Sequence, residues 1–328
     1  MENTLQLRPV KSEQVESIDT LISTSKPFIE ANTIQATLAE VQSEHCIPVY
    51  ALDFEKLISI GEFIEATQTI IQEVYRGEQI LQPNIRLSHP IRSRVPSALN
   101  KRTEDLEEWE KSLYYQRAAF IFEIPSVQAN IDGNSLSLIV GGVKSYQLDR
   151  LQGRRGSDEH FSFFVGFKVH VCSNTSVWND GYSKTVAVKS LGQLKALMRN
   201  LFDSYNSSHQ LHHLRRLSEL ELTENQFCQM VGRCRVYQHL PSEMKGSINP
   251  LLFGDSQINS VVRDYYRDDS FCRQDNGSIN LWKLYNLFTS ANKSSYVDSF
   301  LDRSVNAYNF VEGIRWELEK PGHSWFLN

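Results

Sequence analysis

The sequence predicts an α+β fold, with a mainly antiparallel sheet in the N-terminal half and a helical, bundle-like C-terminal half. Two observations carry that prediction. Near residue 190 the spacing of apolar residues changes from two, the repeat of a strand with one buried side, to 3.6, the repeat of a helix. Before that point, short apolar runs are separated by turn residues at hairpin spacing, which favours antiparallel pairing. A chain of 328 residues, 41% of them apolar, buries a substantial core without needing disulfides. The expected divisions are a polar, loosely ordered extension over 1–45, a β-rich region with one or two helices over 46–190, and a helical region over 191–328.

The β-rich region opens with a helix. From Ile60 to Val74 the apolar residues Ile60, Phe63, Ile64, Ile70, Ile71 and Val74 recur at three- and four-residue spacing, with glutamates on the other face. Pro83, Pro90 and Pro96 each remove a backbone donor and bias their predecessors to extended conformations, so an extended strap is expected over 79–103. An acidic helix is expected around Glu104 to Lys111. Strands follow at Arg117–Ile124 and Leu136–Val140, joined through Asp132-Gly133-Asn134, where Gly and Asn tolerate positive φ cheaply. The runs Phe161–Phe167, Lys168–Cys172 and Thr185–Val188 complete the sheet, with Gly166 expected to interrupt strand register.

Beyond residue 190, Leu191, Leu194, Leu197, Met198, Leu201 and Phe202 make one helical face, and Leu211, Leu214, Leu217 and Leu220 a second. Thr223 and Gln226 have capping-box spacing, each side chain satisfying the other's free backbone donor. Further helices are expected from Asp255 or Ser256 to Asp268, from Ile279 to about Ser290, and from Ser294 or Ser295 to near Leu318.

Composition excludes several classes. The formal net charge of −5 rules out bulk polycation behaviour, and the longest apolar run, Ala118 to Phe122, is far too short to cross a bilayer. The opening residues lack the apolar stretch of a secretion signal, so a cytoplasmic protein with no membrane association is expected. Five cysteines, odd in number and scattered, read as reduced structural thiols. No Rossmann fingerprint, P-loop or nucleophile elbow occurs, and no cofactor is expected.

Weak chemical signals remain. His209 and His213 share a helix face at metal-binding spacing, but no glutamate lies between them and Arg215 and Arg216 follow, so an ordinary polar face is the simpler account. His160 and His170 near Cys172 raise a thiol–imidazole arrangement that their spacing does little to support. Asp264 with Asp268, and Asp298 with Asp302, are each one helical turn apart. Were the two pairs to face each other, they would offer a divalent-metal cluster for phosphoester chemistry, although ion pairs with Arg263, Arg267 and Arg303 explain them more simply.

The more telling polar features are basic. From 79 to 103 there is no acidic residue, while Arg86, Arg92, Arg94, Lys101 and Arg102 are present. Such a strap suits a phosphate backbone, yet Glu104, Asp105, Glu107, Glu108 and Glu110 follow at once and offer neutralising partners. A loop over 144–156 holds Lys144, Arg150, Arg154 and Arg155 against Asp149 alone. The candidate nucleic-acid contacts are therefore Arg92, Arg94, Lys101, Arg102, Lys144, Arg154 and Arg155, with Tyr114, Tyr115 and Tyr146 available to stack on bases.

Five runs carry a resemblance: LSLIVGGVKSYQL (136–148), SDEHFSFFVGFKVHVCSNTSVWNDGY (157–182), LTENQFCQMVGRCRVYQHLP (222–241), DSQINSVVRDYYRDDSFCR (255–273) and INLWKLYNLFTSANKSSYVDSFLDRSVNAYNFVEGIRW (279–316). They resemble a bacterial family known only as a domain of unknown function, from about Phe28 to the terminal Trp325-Phe326-Leu327-Asn328. More distantly, Val171-Cys172-Ser173-Asn174-Thr175 is similar to the signature of the uncharacterised phage/plasmid-like protein family, although Ser176 stands where that family has an apolar residue. The resemblance implies a setting on mobile genetic elements and supplies no catalytic residues.

Together these readings lead to a non-enzymatic, mobile-element accessory that binds single-stranded nucleic acid. The alternatives are a module engaging a host protein and a divalent-metal-dependent phosphoesterase built on the four aspartates.

Overall fold

In the computed structural model the described residues are 27–43, 57–89, 91–94, 96–98, 100–145, 158–177, 183–320, 322 and 324–328. The main sheet has seven strands: β1 (Thr33–Ala36), β2 (Asn84–Ser88), β5 (Ala118–Ile131), β6 (Asn134–Lys144), β7 (Glu159–Val169), and then β8 (Thr175–Val177) and β9 (Ser183–Val188), which share one edge of β7. All pairings are antiparallel. A separate two-stranded ribbon pairs β3 (Ile91–Arg94) with β4 (Lys111–Tyr115).

The hairpin between β5 and β6 turns on Asp132 and Gly133, both at positive φ (51° and 77°), as a two-residue primed turn requires. Pro125 lies where β5 loses register with β6, between Ile124 and Gln128, because it has no N–H for the ladder. β7 continues unbroken through Gly166, which pairs with Val177 of β8. The expected interruption there does not occur.

Central strands are covered on both faces. Phe120, Phe122 and Ile124 of β5 face Phe63 and Ile64 of α2 (Ile60–Val74), and Leu194 and Met198 of α3 (Leu191–Ser204) pack in the same cluster. Phe63 meets Phe120 and Phe161 edge-on, with ring centres 5.0 and 4.9 Å apart. Ala119 and Ile121, the alternate residues, join Ile139, Phe164, Phe28 and Phe300 in a second cluster on the opposite face. The glycine pair at 141–142 serves this packing and cradles no phosphate: a Cβ on Gly142 would sit 2.5 Å from the Phe63 ring and 2.7 Å from the Phe120 ring.

The helical half contains α4 (Ser207–Leu217), α5 (Glu224–His239), α6 (Ser242–Lys245), α7 (Asp255–Arg267), α8 (Leu281–Asn292) and α9 (Val297–Glu319). Thr223 caps α5 in the expected box with Gln226. The first hydrophobic cluster runs from the sheet into this half through Leu214, Tyr265, Trp282, Tyr285 and Val311, so the change of periodicity at 190 marks no break in the core.

Two expectations are corrected here. Residues 27–43, expected in a loosely ordered extension, contribute β1, helix α1 (Leu38–Ser43) and the buried Phe28 and Ile29. The acidic segment is not a helix but two 3₁₀ turns, Thr103–Asp105 and Glu108–Glu110. Glu104 and Glu108 would repel at helical spacing, and with only Leu106 and Trp109 the segment lacks an apolar stripe to bury.

A polar seam joins distant segments behind the sheet. The Asn174 amide donates to the Asn286 carbonyl oxygen at 2.9 Å, Gln210 of α4 donates to the Ser176 carbonyl oxygen at 3.2 Å, and Lys293 Nζ donates to the Cys172 carbonyl oxygen. The Lys293 carbonyl in turn accepts from Glu30 N at 2.8 Å.

Candidate nucleic-acid interface

The basic strap divides between two fates. Arg86 enters the main sheet in β2 and donates to Thr33, through Nη2 to its carbonyl oxygen at 2.8 Å and through Nε to its hydroxyl at 3.1 Å. Its partial burial lowers the guanidinium pKa. Arg92 and Arg94 lie in the ribbon, where the register sets Arg94 opposite Lys111 and Arg92 opposite Leu113, with a bulge between Ile91 and Arg92. Neither strand, Ile-Arg-Ser-Arg or Lys-Ser-Leu-Tyr-Tyr, contains a carboxylate.

The connection between β3 and β4 holds the neutralising partners. Lys101 Nζ is 2.6 Å from Glu110 Oε1, Lys111 Nζ is 2.7 Å from Glu108 Oε1, and Arg102 Nη1 is 3.8 Å from Glu104 Oε1. The Lys101 hydrogen bond, with the Glu107 backbone N–H, holds the Glu110 carboxyl below its ordinary range. The expected neutralisation of strap by acidic segment thus holds for Lys101 and Arg102. Arg92 and Arg94 stand opposite Leu113 and Lys111.

Lys144 does not contact solvent. It ends β6 with 0% exposure, its Nζ 3.4 Å from Glu159 Oε2 and 4.0 Å from the centre of the Phe161 ring, donating to the His160 carbonyl oxygen at 3.1 Å. Glu159 Oε1 accepts from Ile58 N at 2.8 Å. Desolvation excludes an unpaired ammonium from such a place, so Lys144 is built into the core and removed from the phosphate-contacting set. Arg154, Arg155 and Tyr146 lie outside the described residues.

Trp109 is the feature the sequence reading missed. It sits in the second 3₁₀ turn, immediately before the ribbon strand β4, and is 70% exposed. The only signal was an aromatic residue in a run of glutamates with no periodic apolar neighbours to bury it.

The aspartates have separate local roles. Arg263 Nε and Nη2 clasp Asp264 at 2.7 and 3.0 Å. Asp268 Oδ1 accepts from Ser270 N and Phe271 N as α7 ends. Asp298 Oδ2 is 3.0 Å from Arg117 Nη2, and burial raises the Asp302 carboxyl pKa. Asp264 and Asp268 line a polar cleft of about 460 Å³ with Arg267, Asp269 and Lys293, but among the described residues no group of three or more His, Cys, Asp or Glu side chains is placed to hold a metal ion.

His170 Nε2 lies 3.6 Å from Glu123 Oε1, and Lys168 Nζ 2.8 Å from Glu123 Oε2. Burial works to raise Glu123, but hydrogen bonds from Lys168 and Ser137 outweigh it and hold the carboxyl below its ordinary range. The four described cysteines form no disulfide, and Cys234 is buried so that its pKa is pushed well up. No helix among the described residues is long and apolar enough to cross a membrane.

The double-covered sheet, the ribbon and the helical half are all continuous with one family pattern, which spans residues 11–327. The chain belongs to the DUF3871 family. That family is described as a domain of unknown function, from a B. theta gene description. No curated protein and no solved structure matches the chain.

Proposed function

We propose that this DUF3871 protein binds single-stranded nucleic acid through the β3–β4 ribbon. The observation that carries the reading is the ribbon's composition and register: Arg92 and Arg94 occupy alternate positions in a two-stranded sheet whose strands contain no carboxylate, and the exposed Trp109 lies in the turn that leads into β4. Cations spaced along a strand follow a phosphate backbone, and an exposed indole offers a stacking face to any base. The setting on mobile elements, implied by the more distant resemblance, is part of this proposal and is supported if replication or recombination genes adjoin the coding gene.

Fluorescence anisotropy with a labelled oligothymidylate and a matched duplex tests it. Preference for the single strand is expected, with affinity falling as salt rises. Replacing both Arg92 and Arg94 by serine should flatten the slope of log K against log salt by about 1.4, two cations at about 0.7 each. Trp109→Ala should weaken binding by about 1–3 kcal/mol. Absence of binding at low salt, or binding indifferent to the double substitution, overturns the reading.

A second reading is supported by a different surface. Val236 on α5, Met244 on α6 and Leu252 just beyond are 51%, 52% and 44% exposed, which suits a protein partner. A pull-down that returns one host protein and no nucleic acid favours it.

A further inference from the structure

We infer that His209 and His213 form a two-histidine site on α4 for a late first-row divalent metal ion, such as Zn²⁺ or Ni²⁺, with water completing the coordination. The site is independent of the nucleic-acid reading and lies in the other half of the molecule.

Geometry supports it first. The two residues are one helical turn apart, and their ring centres are 4.8 Å apart. Two imidazoles bound at about 2.0–2.1 Å to one tetrahedral or octahedral ion hold their ring centres roughly 4.5–5.2 Å apart, a range that includes the observed separation, and the two ring planes stand 78° apart. The adjoining face of α4 is fixed by the buried Leu214 and Leu217 and by the Gln210 hydrogen bond to Ser176, which leaves His209 exposed beside it. His209 and His212 are exposed and His213 is half-buried.

Electrostatics supports it second. The two arginines that follow were the sequence-level objection to a cation here. Of the two, Arg216 is engaged by Glu319 of α9 at 3.0 Å. Glu312 of α9 supplies a carboxylate among the charged groups around His213, with His209, His212 and Arg216. Among the described residues no third His, Cys, Asp or Glu side chain joins the pair. Affinity should therefore be modest, with Kd on the order of 1–100 µM, and should favour borderline ions over Mg²⁺.

Isothermal titration of the full chain, free of any polyhistidine tag, with ZnCl₂, NiCl₂ and MgCl₂ tests the site. One Zn²⁺ or Ni²⁺ per chain and no response to Mg²⁺ are expected. His209→Gln and His213→Gln should each weaken binding by at least about tenfold, whereas His212→Gln should change it by less than about twofold. Circular dichroism confirms that each variant is folded. No binding of Zn²⁺ or Ni²⁺, an effect of His212→Gln equal to the other two, or loss of binding when thiols are blocked overturns the inference.

Discussion

The seven-stranded sheet and the β3–β4 ribbon carry the same kinds of residue in different surroundings. Within the sheet, charges are consumed internally: Lys144 lies against Glu159, Lys168 against Glu123, and Arg86 against Thr33. Both faces of its central strands are covered, so an unpaired charge there would lose hydration without compensation. The ribbon forms its own small sheet and carries Arg92 and Arg94 in strands that contain no acid. A basic residue in a strand thus says little about function until it is known whether that strand is covered on both faces.

The comparison breaks or sharpens at three points. The largest effect is expected at Lys144→Ala, which leaves Glu159 buried without its ammonium partner and should cost about 3–5 kcal/mol in urea unfolding. A loss below about 1 kcal/mol would show that the pair is solvated after all. Gly142→Ala should cost about 1–3 kcal/mol, because the new methyl overlaps the Phe63 and Phe120 rings. Differential scanning calorimetry reads this as a lowered Tm at unchanged fold. The smallest effect is expected in the ribbon, where Arg92→Ser with Arg94→Ser should change unfolding free energy by less than about 0.5 kcal/mol while altering oligonucleotide binding. A stability loss as large as that at Lys144 would make the ribbon part of the core.

Much of the architecture was legible because its signals are local. Asp132-Gly133 announced its hairpin, Thr223 and Gln226 their capping box, and Ile60–Val74 its amphipathic helix, each through residues close in sequence. What escaped depended on distant partners. Nothing near Thr33 indicates pairing with Ser88, and nothing near Lys144 reveals that Glu159 returns beside it. The acidic segment misled because its charge pattern was weighed without an apolar stripe to support a helix. Of the proposed interface, Arg92 and Arg94 stand out in the sequence because no acidic residue occurs from 79 to 103. Trp109 was missed because exposure of a single aromatic leaves no pattern in the sequence.

The Lys293 junction also constrains how the chain assembles. Its carbonyl receives Glu30 N, its ammonium reaches Cys172, and Phe28 packs edge-on to Phe300 at 5.8 Å between ring centres. The segment that leads into β1 therefore gains its last contacts only after residues near 293 and 300 have been made. Were β1 to stay unpaired until then, the border of β2 would be the part of a nascent molecule open to pairing with another copy.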